Sequence, residues 1–285
     1  MPGEFKGKVV VVSGASRGIG RGIAQAFARE GAQTVLASSS AETLAVAAKA
    51  IAGLGPEPLT VAGDLRTLAA CEQLFARVNE RFARCDVLVN NAGATRAGAF
   101  VDLPDAVWLE GYALKFFGCV RLTRLFWPLL KASQGNVINI IGGAARTPDP
   151  EFLIGGSVNA AMANFSKGLS KLGNRDDVNV NVIHPGNTDT ERQEQLRLQR
   201  AAALGKTVEE LRSEALVKNN TRAASASRRT SPRWRCFCVP SGRATSRARR
   251  SRSMVVRPPV ITDCLHISKS GPGVLARARG GWSHS

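Results

Sequence analysis

Four consecutive valines, Val9–Val12, run straight into the turn Ser13-Gly-Ala-Ser-Arg-Gly-Ile-Gly20, and an amphipathic stretch follows at once. A short apolar run that ends in closely spaced glycines and then takes helical periodicity is a strand-turn-helix unit. The spacing Gly-x-x-x-Gly-x-Gly narrows it further. Gly14 allows the sharp exit from the strand. Gly18 and Gly20 let the helix approach closely and turn its first amides outward, a cradle for a pyrophosphate.

The same alternation continues along the chain. β-branched runs at 8–13, 33–38, 58–62, 86–90, 135–141 and 178–183 predict strands, and helical periodicity at 18–30, 41–53, 67–83, 105–131 and 155–173 predicts the helices between them. Near-continuous apolar strands separated by helices imply a parallel sheet covered on both faces. Right-handed crossovers then give an α/β, doubly wound parallel sheet, the Rossmann fold.

Further segments fall in order around this frame. Asn90-Asn91-Ala92-Gly93 closes the fourth strand, Asp64 follows the third, and Pro185-Gly186 follows the sixth with Thr190 completing Pro-Gly-x-x-x-Thr. Together with the glycine turn, these segments resemble the short-chain dehydrogenase/reductase family over roughly residues 5–221. The resemblance implies an NAD(P)-dependent oxidoreductase ancestry and a dinucleotide-binding domain over residues 1–221. It places Gly14, Ser16, Arg17, Gly18, Ile19 and Gly20 at the cofactor's phosphates, with Asp64 and Leu65 near the adenine. Asn90, Ala92 and Gly93 come beside the adenosine ribose and central sheet, and Pro185, Gly186, Thr188 and Thr190 near the nicotinamide amide. Asp64 alternatively reads as a turn residue of the helix N-cap type. At the end of the second strand Ser38, Ser39 and Ser40 stand where a carboxylate would repel a 2′-phosphate, and Arg17 lies in the glycine turn. These residues tip the expectation toward NADP over NAD.

The family's proton-transfer machinery is what the chain lacks. The resemblance implies a Tyr as general acid/base, a Lys four residues on that lowers its pKa and holds the ribose, a Ser that orients the carbonyl, and an Asn in the preceding long helix. A phenol with pKa about 10 needs a cationic neighbour to act near neutrality. The chain has one tyrosine, Tyr112, and no Tyr-x-x-x-Lys. The Tyr position falls on Gly155, the Lys position on Asn159, the Ser position on Gly142 and the Asn position on Ala113. No catalytic residue is therefore assigned. Tyr112 neighbours the Ala113 position but is rotated about 100° from it on a helix, and Lys167 lies about 12 Å along the helix from Asn159. Ser157 has no base beside it, and His184, ahead of Pro185, reads as a packed or solvated residue. Two functions follow: an oxidoreductase by descent, or a catalytically silent dinucleotide-binding protein, a sensor or partner subunit.

The net charge of +17 belongs to a tail. Residues 222–285 carry 14 basic side chains against one acid, Asp263, whereas the first 221 carry 25 against 21. The tail has no hydrophobic periodicity and no nucleic-acid module, so a nucleic-acid partner is not expected. Arg/Ser/Pro-rich text predicts a basic, disordered tail. Read one base out of register, however, Met254-Val255 is forced to glycine, and residues 245–258 can spell D-V-T-G-T-A-V-A-V-D-G-G-A-T. This string resembles the family's last strand and its Val-Asp-Gly-Gly turn, so residues 222–285 read as a frameshifted C-terminus. The last native strand would then be missing, strand 178–183 would become an exposed edge, and the family's homo-oligomeric interface would be compromised.

No apolar run approaches the roughly 18–20 residues that span a bilayer. The N-terminus enters a strand without a signal-peptide pattern. Six cysteines at scattered spacings suit reduced thiols, and Cys236 and Cys238 lack metal-ligand surroundings. A cytoplasmic protein with a small-molecule substrate, no metal and no membrane partner is expected.

Overall fold

A computed structural model of the chain describes residues 3–185, 191–211, 213 and 253–255. Its centre is a parallel sheet in the order β3-β2-β1-β4-β5-β6-β7. The strands are β1 (Val9–Ser13), β2 (Gln33–Ser38), β3 (Leu59–Ala62), β4 (Val87–Asn90), β5 (Asn136–Ile140), β6 (Asn179–His184) and β7 (Ser253–Val255). The first six coincide with the runs the periodicity marks, within two residues at each end. Helices α1 (Gly18–Arg29), α2 (Ala41–Ile51), α3 (Leu68–Phe82), α4 (Asp105–Tyr112), α5 (Cys119–Ser133), α6 (Leu153–Asp176) and α7 (Glu191–Leu204) connect and follow them.

The strand pleat sorts the apolar residues into two cores. Val10, Val12, Leu36, Val89 and Ile138 face α1 and α2, where they meet Ile23, Phe27, Leu44 and Ile51. Val9, Val11, Val35, Leu88 and Val137 face the other way, onto Leu74 and Val78 of α3 and Leu122, Phe126 and Leu130 of α5. Alternate residues of one strand thus serve opposite layers, so these strands read as unbroken apolar runs.

Helix α4 does not end before α5. Residues Ala113–Gly118 form a π-helical stretch that joins them into one continuous rod, whose α5 half packs on a face of the sheet. The sequence pattern marks this rod as a single helix over 105–131 and gives no sign of the change in winding.

The expectation that β6 forms an exposed edge is corrected in part. Ser253–Val255 pairs in parallel with Val182–His184 and occupies the seventh sheet position. The backbone of this short Ser-Met-Val segment within the Arg/Ser-rich tail can satisfy outward N–H and C=O groups of β6 there. Asn179–Asn181 has no such strand beside it among the described residues. Apart from β7, the tail expectations lie outside the described residues, as do Gly186, Thr188 and Thr190. No helix among the described residues is long and apolar enough to cross a membrane.

Candidate functional site

The glycine turn is built around Gly14, whose φ of +65° suits a residue without a Cβ. A Cβ on Gly14 would lie 2.9 Å from the Cα of Ala92, and one on Gly20 would run into the carbonyl oxygen of Gly14. The turn, the first coil of α1 and the end of β4 therefore close on one another at van der Waals distance. Asn91 locks them: its Nδ2 donates to the carbonyls of Ser13 and Gly14 at 3.1 Å each, while the amides of Asn91 and Ala92 donate to Ser13 Oγ. Helix α1 begins after Arg17 with no side-chain N-cap. Its first amides and positive dipole end are thus presented to the cleft, and this cradle fits a diphosphate.

Ser16 and Ser38 share a hydrogen bond of 3.0 Å between hydroxyls, which ties the turn to the end of β2. Ser39 and Arg17 are exposed beside it. Ser40 serves the helix instead, since its Oγ accepts from the Thr43 amide and caps α2. Ile19 packs against the core from the first turn of α1, and Leu65 is buried.

Asp64 lies near the C-terminal end of β3, as the motif requires, with its carboxylate engaged. Arg66 Nε donates to both of its oxygens, at 3.0 and 2.9 Å, and the Arg66 amide donates to Oδ1. Bonding to Arg66 holds its carboxyl below the ordinary range. The group available at this rim is an Asp64–Arg66 pair rather than a lone carboxylate, and the spacing alone does not reveal it.

Asn90 likewise faces inward. Its Nδ2 donates to Asn139 Oδ1 (2.9 Å) and Thr123 Oγ1 (3.1 Å), and Asn139 donates on to Ser166 Oγ. This buried ladder fastens β4 to β5, α5 and α6 directly beneath the cleft. Buried polar groups left unpaired would cost about 1–3 kcal/mol each, so the ladder fixes the register of these layers.

The four proton-transfer positions separate into three that meet and one that does not. Gly142, past the end of β5, donates its amide to Asn159 Oδ1 at 2.7 Å, and Asn159 Nδ2 donates to the carbonyl of Gly155 at 2.6 Å. Asn159 is buried and bridges the other two with both ends of its amide. The ring of Phe152 fills the space that a side chain on Gly155 would enter. Gly155→Tyr is therefore expected to destabilise the fold by about 1 kcal/mol, since the half-buried ring can swing outward, and Phe152→Ala should recover most of that cost. Urea denaturation of the single and double variants reads the coupling; additive effects would contradict it.

Other candidates fall away on geometry. Tyr112 packs with Val107, Ile154 and Val158 in the apolar seam between α4 and α6. Ser157 Oγ donates to Ile154 of its own helix, and Lys167 is exposed on the outer side of α6.

Two further residues carry polar chemistry that the motifs do not mark. His184 is buried at the end of β6, beside Pro185, and its Nδ1 has no hydrogen-bond partner among the described residues. Burial lowers its pKa and the charges of Arg146 and Lys115 lower it further, against backbone hydrogen bonding at Gly142 and Ile141, so the ring is neutral at physiological pH. Lys115, in the π stretch, lays its side-chain carbons over Gly93. The family's Asn position falls instead on Ala113, which offers only a methyl group.

The sequence profile described as short chain dehydrogenase matches residues 8–201. The chain belongs to the short-chain dehydrogenase family. It is 34% identical over 185 residues to the 11-beta-hydroxysteroid dehydrogenase-like 4A of Arabidopsis thaliana, covering 64% of this chain and 62% of that protein. With 11-beta-hydroxysteroid dehydrogenase A of Sesamum indicum the identity is 30% over 190 residues, 66% of this chain and 54% of the other. The chain thus spans less than two thirds of the length of these plant relatives. Among solved structures, L-sorbose reductase from Gluconobacter frateurii, complexed with NADPH and L-sorbose, superposes with a TM-score of 0.70 at 30% identity. That match covers 76% of this chain and 84% of the reductase. A metagenomic short-chain oxidoreductase in complex with NADP gives 0.63 at 28% identity, covering 70% and 92%. Each of these two solved proteins is in complex with a nicotinamide dinucleotide phosphate.

Proposed function

We propose that this chain is a dinucleotide-binding member of the short-chain dehydrogenase family, an oxidoreductase by descent, that transfers hydride poorly or not at all by the family's mechanism. The cradle of Gly14, Gly18 and Gly20 supports the binding half of this reading, as do the NADPH- and NADP-bound neighbours. Ser38 at the end of β2, bonded to Ser16 of the glycine turn, and Arg17 exposed beside them favour NADP over NAD. Residues Gly14 to Gly20 would hold the phosphates. The Asp64–Arg66 pair and Leu65 would border the adenine, with Ala92, Gly93 and Pro185 along the path toward the nicotinamide.

One observation carries the silent half. Asn159 commits its side-chain oxygen to the Gly142 amide and an amide hydrogen to the Gly155 carbonyl, so the three positions that should move a proton are joined by a structural hydrogen-bond bridge instead. A bound nicotinamide would supply a hydride donor or acceptor. The residues facing it would supply neither a phenol nor an activated hydroxyl. The functions this leaves are those of a sensor or a partner subunit, in a cytoplasmic protein whose substrate-side loop lies past Pro185. Residues 222–285 are read as a basic appendage to this unit in a shifted frame.

NADPH and NADH titrations by fluorescence, followed by hydride-transfer assays across alcohols and ketones, test both halves. Micromolar binding with turnover at least a thousandfold below an ordinary enzyme's about 10 per second is expected. Ordinary turnover would sink the silent reading and make His184 the first residue to replace. No binding of either dinucleotide would remove the whole proposal.

A further inference from the structure

We infer that Asp64 and Arg66 read the base of the bound dinucleotide as one unit, so that the cleft accepts a 6-oxopurine such as hypoxanthine about as well as adenine; the inference rests on the dinucleotide reading above. It starts from placement. The Gly63 amide donates to the Ser38 carbonyl at 2.9 Å, and Ser38 Oγ is bonded to Ser16 of the glycine turn. The turn, the end of β2 and the Asp64–Arg66 segment therefore follow one another along the carboxyl edge of the sheet. The helical rod holds the segment from its other side. A Cβ on Gly118 would lie 3.0 Å from the Leu65 carbonyl oxygen, and Arg121 Nη1 donates to the Arg66 carbonyl. Leu65 is buried between the two charged residues, whose side chains stay 40% and 47% exposed at this edge.

The pairing leaves little of the carboxylate to a ligand. Arg66 Nε shares its hydrogen between Oδ1 and Oδ2 at 3.0 and 2.9 Å, Nη2 lies 2.9 Å from Oδ2, and the Arg66 amide donates to Oδ1 at 3.1 Å. Each oxygen thus meets two nitrogens, which matches the about four acceptor sites of a carboxylate. The guanidinium is in the opposite condition. Among the described residues its Nη1 hydrogens have no acceptor, and Glu110 attracts it only from beyond contact distance.

Purines differ in what they show such a pair. Adenine carries an exocyclic amine and donates, whereas a 6-oxopurine carries a carbonyl at the same carbon and accepts. A lone carboxylate would bond the amine and repel the carbonyl oxygen, which makes it selective. The Asp64–Arg66 pair offers its acceptor to the amine only as the ion pair opens, and opening an exposed pair costs little. It offers unused guanidinium donors to the carbonyl oxygen without opening at all. Arg66 therefore does not close the cleft to adenine; it removes the penalty against the 6-oxo base.

Arg66→Met removes the guanidinium, keeps an unbranched stem and lies at an exposed position, so the fold is expected to survive it. Wild type and variant should be titrated with NADPH, with NADH and with deamino-NADPH, in which hypoxanthine replaces adenine. Wild type is expected to bind NADPH and deamino-NADPH within about threefold of each other, and the variant, with the Asp64 carboxylate released, to prefer NADPH about tenfold. A wild type that already prefers NADPH as strongly as the variant does would overturn the inference, and so would a ratio that the substitution leaves unchanged. A variant that loses affinity for NADPH but not for NADH would assign the guanidinium to the 2′-phosphate and overturn it as well. Should wild type bind none of the three, the dinucleotide reading falls first and takes this inference with it.

Discussion

Gly20→Ala is expected to weaken NADPH binding tenfold or more and to lower the thermal midpoint by several degrees. The added methyl meets the carbonyl oxygen of Gly14, and neither that oxygen nor the Asn91 amide beside it has room to move. Gly14 is fixed by its positive φ, and Asn91 Nδ2 is already committed to the carbonyls of Ser13 and Gly14. The methyl can be accommodated only by pushing α1 off the ends of β1 and β4. Overpacking of this kind costs about 1–3 kcal/mol, or about 2–4 °C per kcal/mol in a domain of this size. The same displacement carries the first amides of α1 away from the position where they would converge on a diphosphate, so binding suffers beyond the loss of stability. Gly168→Ala is the matched control. A Cβ there meets nothing, and Gly168 lies within α6, so the change should be neutral or slightly stabilising. Dinucleotide titration and thermal melting of both variants decide the matter. A Gly20→Ala protein that binds NADPH as wild type does would show that the turn is structural only.

The contrast between Gly20 and Lys115 explains which parts of the site are legible in the sequence. Gly20 is legible because a close approach of backbones leaves a residue-type signature at fixed spacing, and the strand-turn-helix setting identifies it. The strands are legible for a related reason: Val9–Val12 serve two cores by alternation, so every position must be apolar. Lys115 leaves no such mark. Its place in the site depends on contact with Gly93, which is 22 positions away in sequence. Asp64 is an intermediate case. Its place at the end of β3 follows from the motif, but its pairing with Arg66 is a side-chain choice that spacing does not determine. The bridge from Asn159 to Gly142 and Gly155 joins residues that stand along the chain as separate departures from the family pattern. Only the folded chain shows that one amide satisfies the backbone of the other two. The covering of β6 escapes the sequence because three residues, Ser-Met-Val, are too few to show a strand period.

Asp86→Ala tests the fold far from the cleft, and its effect on stability is expected to be the largest of any single change described here. Asp86 stands just ahead of β4, at the amino-terminal edge of the sheet. Its carboxylate accepts from Arg84 Nε and Nη2 at 2.7 and 2.8 Å and from the Val9 amide at 2.9 Å, and it pairs with Lys8 at 3.1 Å. The carboxylate is 6% exposed, whereas Lys8 and Arg84 are 42% and 45% exposed. Breaking a fully buried pair costs about 3–5 kcal/mol. The half-solvated cations lessen that penalty, and the stranded Val9 amide adds to it, so about 2–3 kcal/mol is expected at pH 7. Burial pushes the Asp86 carboxyl up, but the bonds from Arg84, Val9 and Lys8 outweigh it and hold the pKa below the ordinary 3.8. Because the folded pKa lies under the unfolded one, the stabilisation is fully present above the unfolded value and is lost only as pH falls through the folded one. Urea denaturation should show a constant difference between wild type and Asp86→Ala from pH 7 down to about 5, shrinking below about 4. NADPH affinity at pH 7 should stay within twofold of wild type, since the glycine cradle sits at the opposite edge of the sheet. A difference that persists undiminished at pH 2 would assign the effect to lost packing instead of charge.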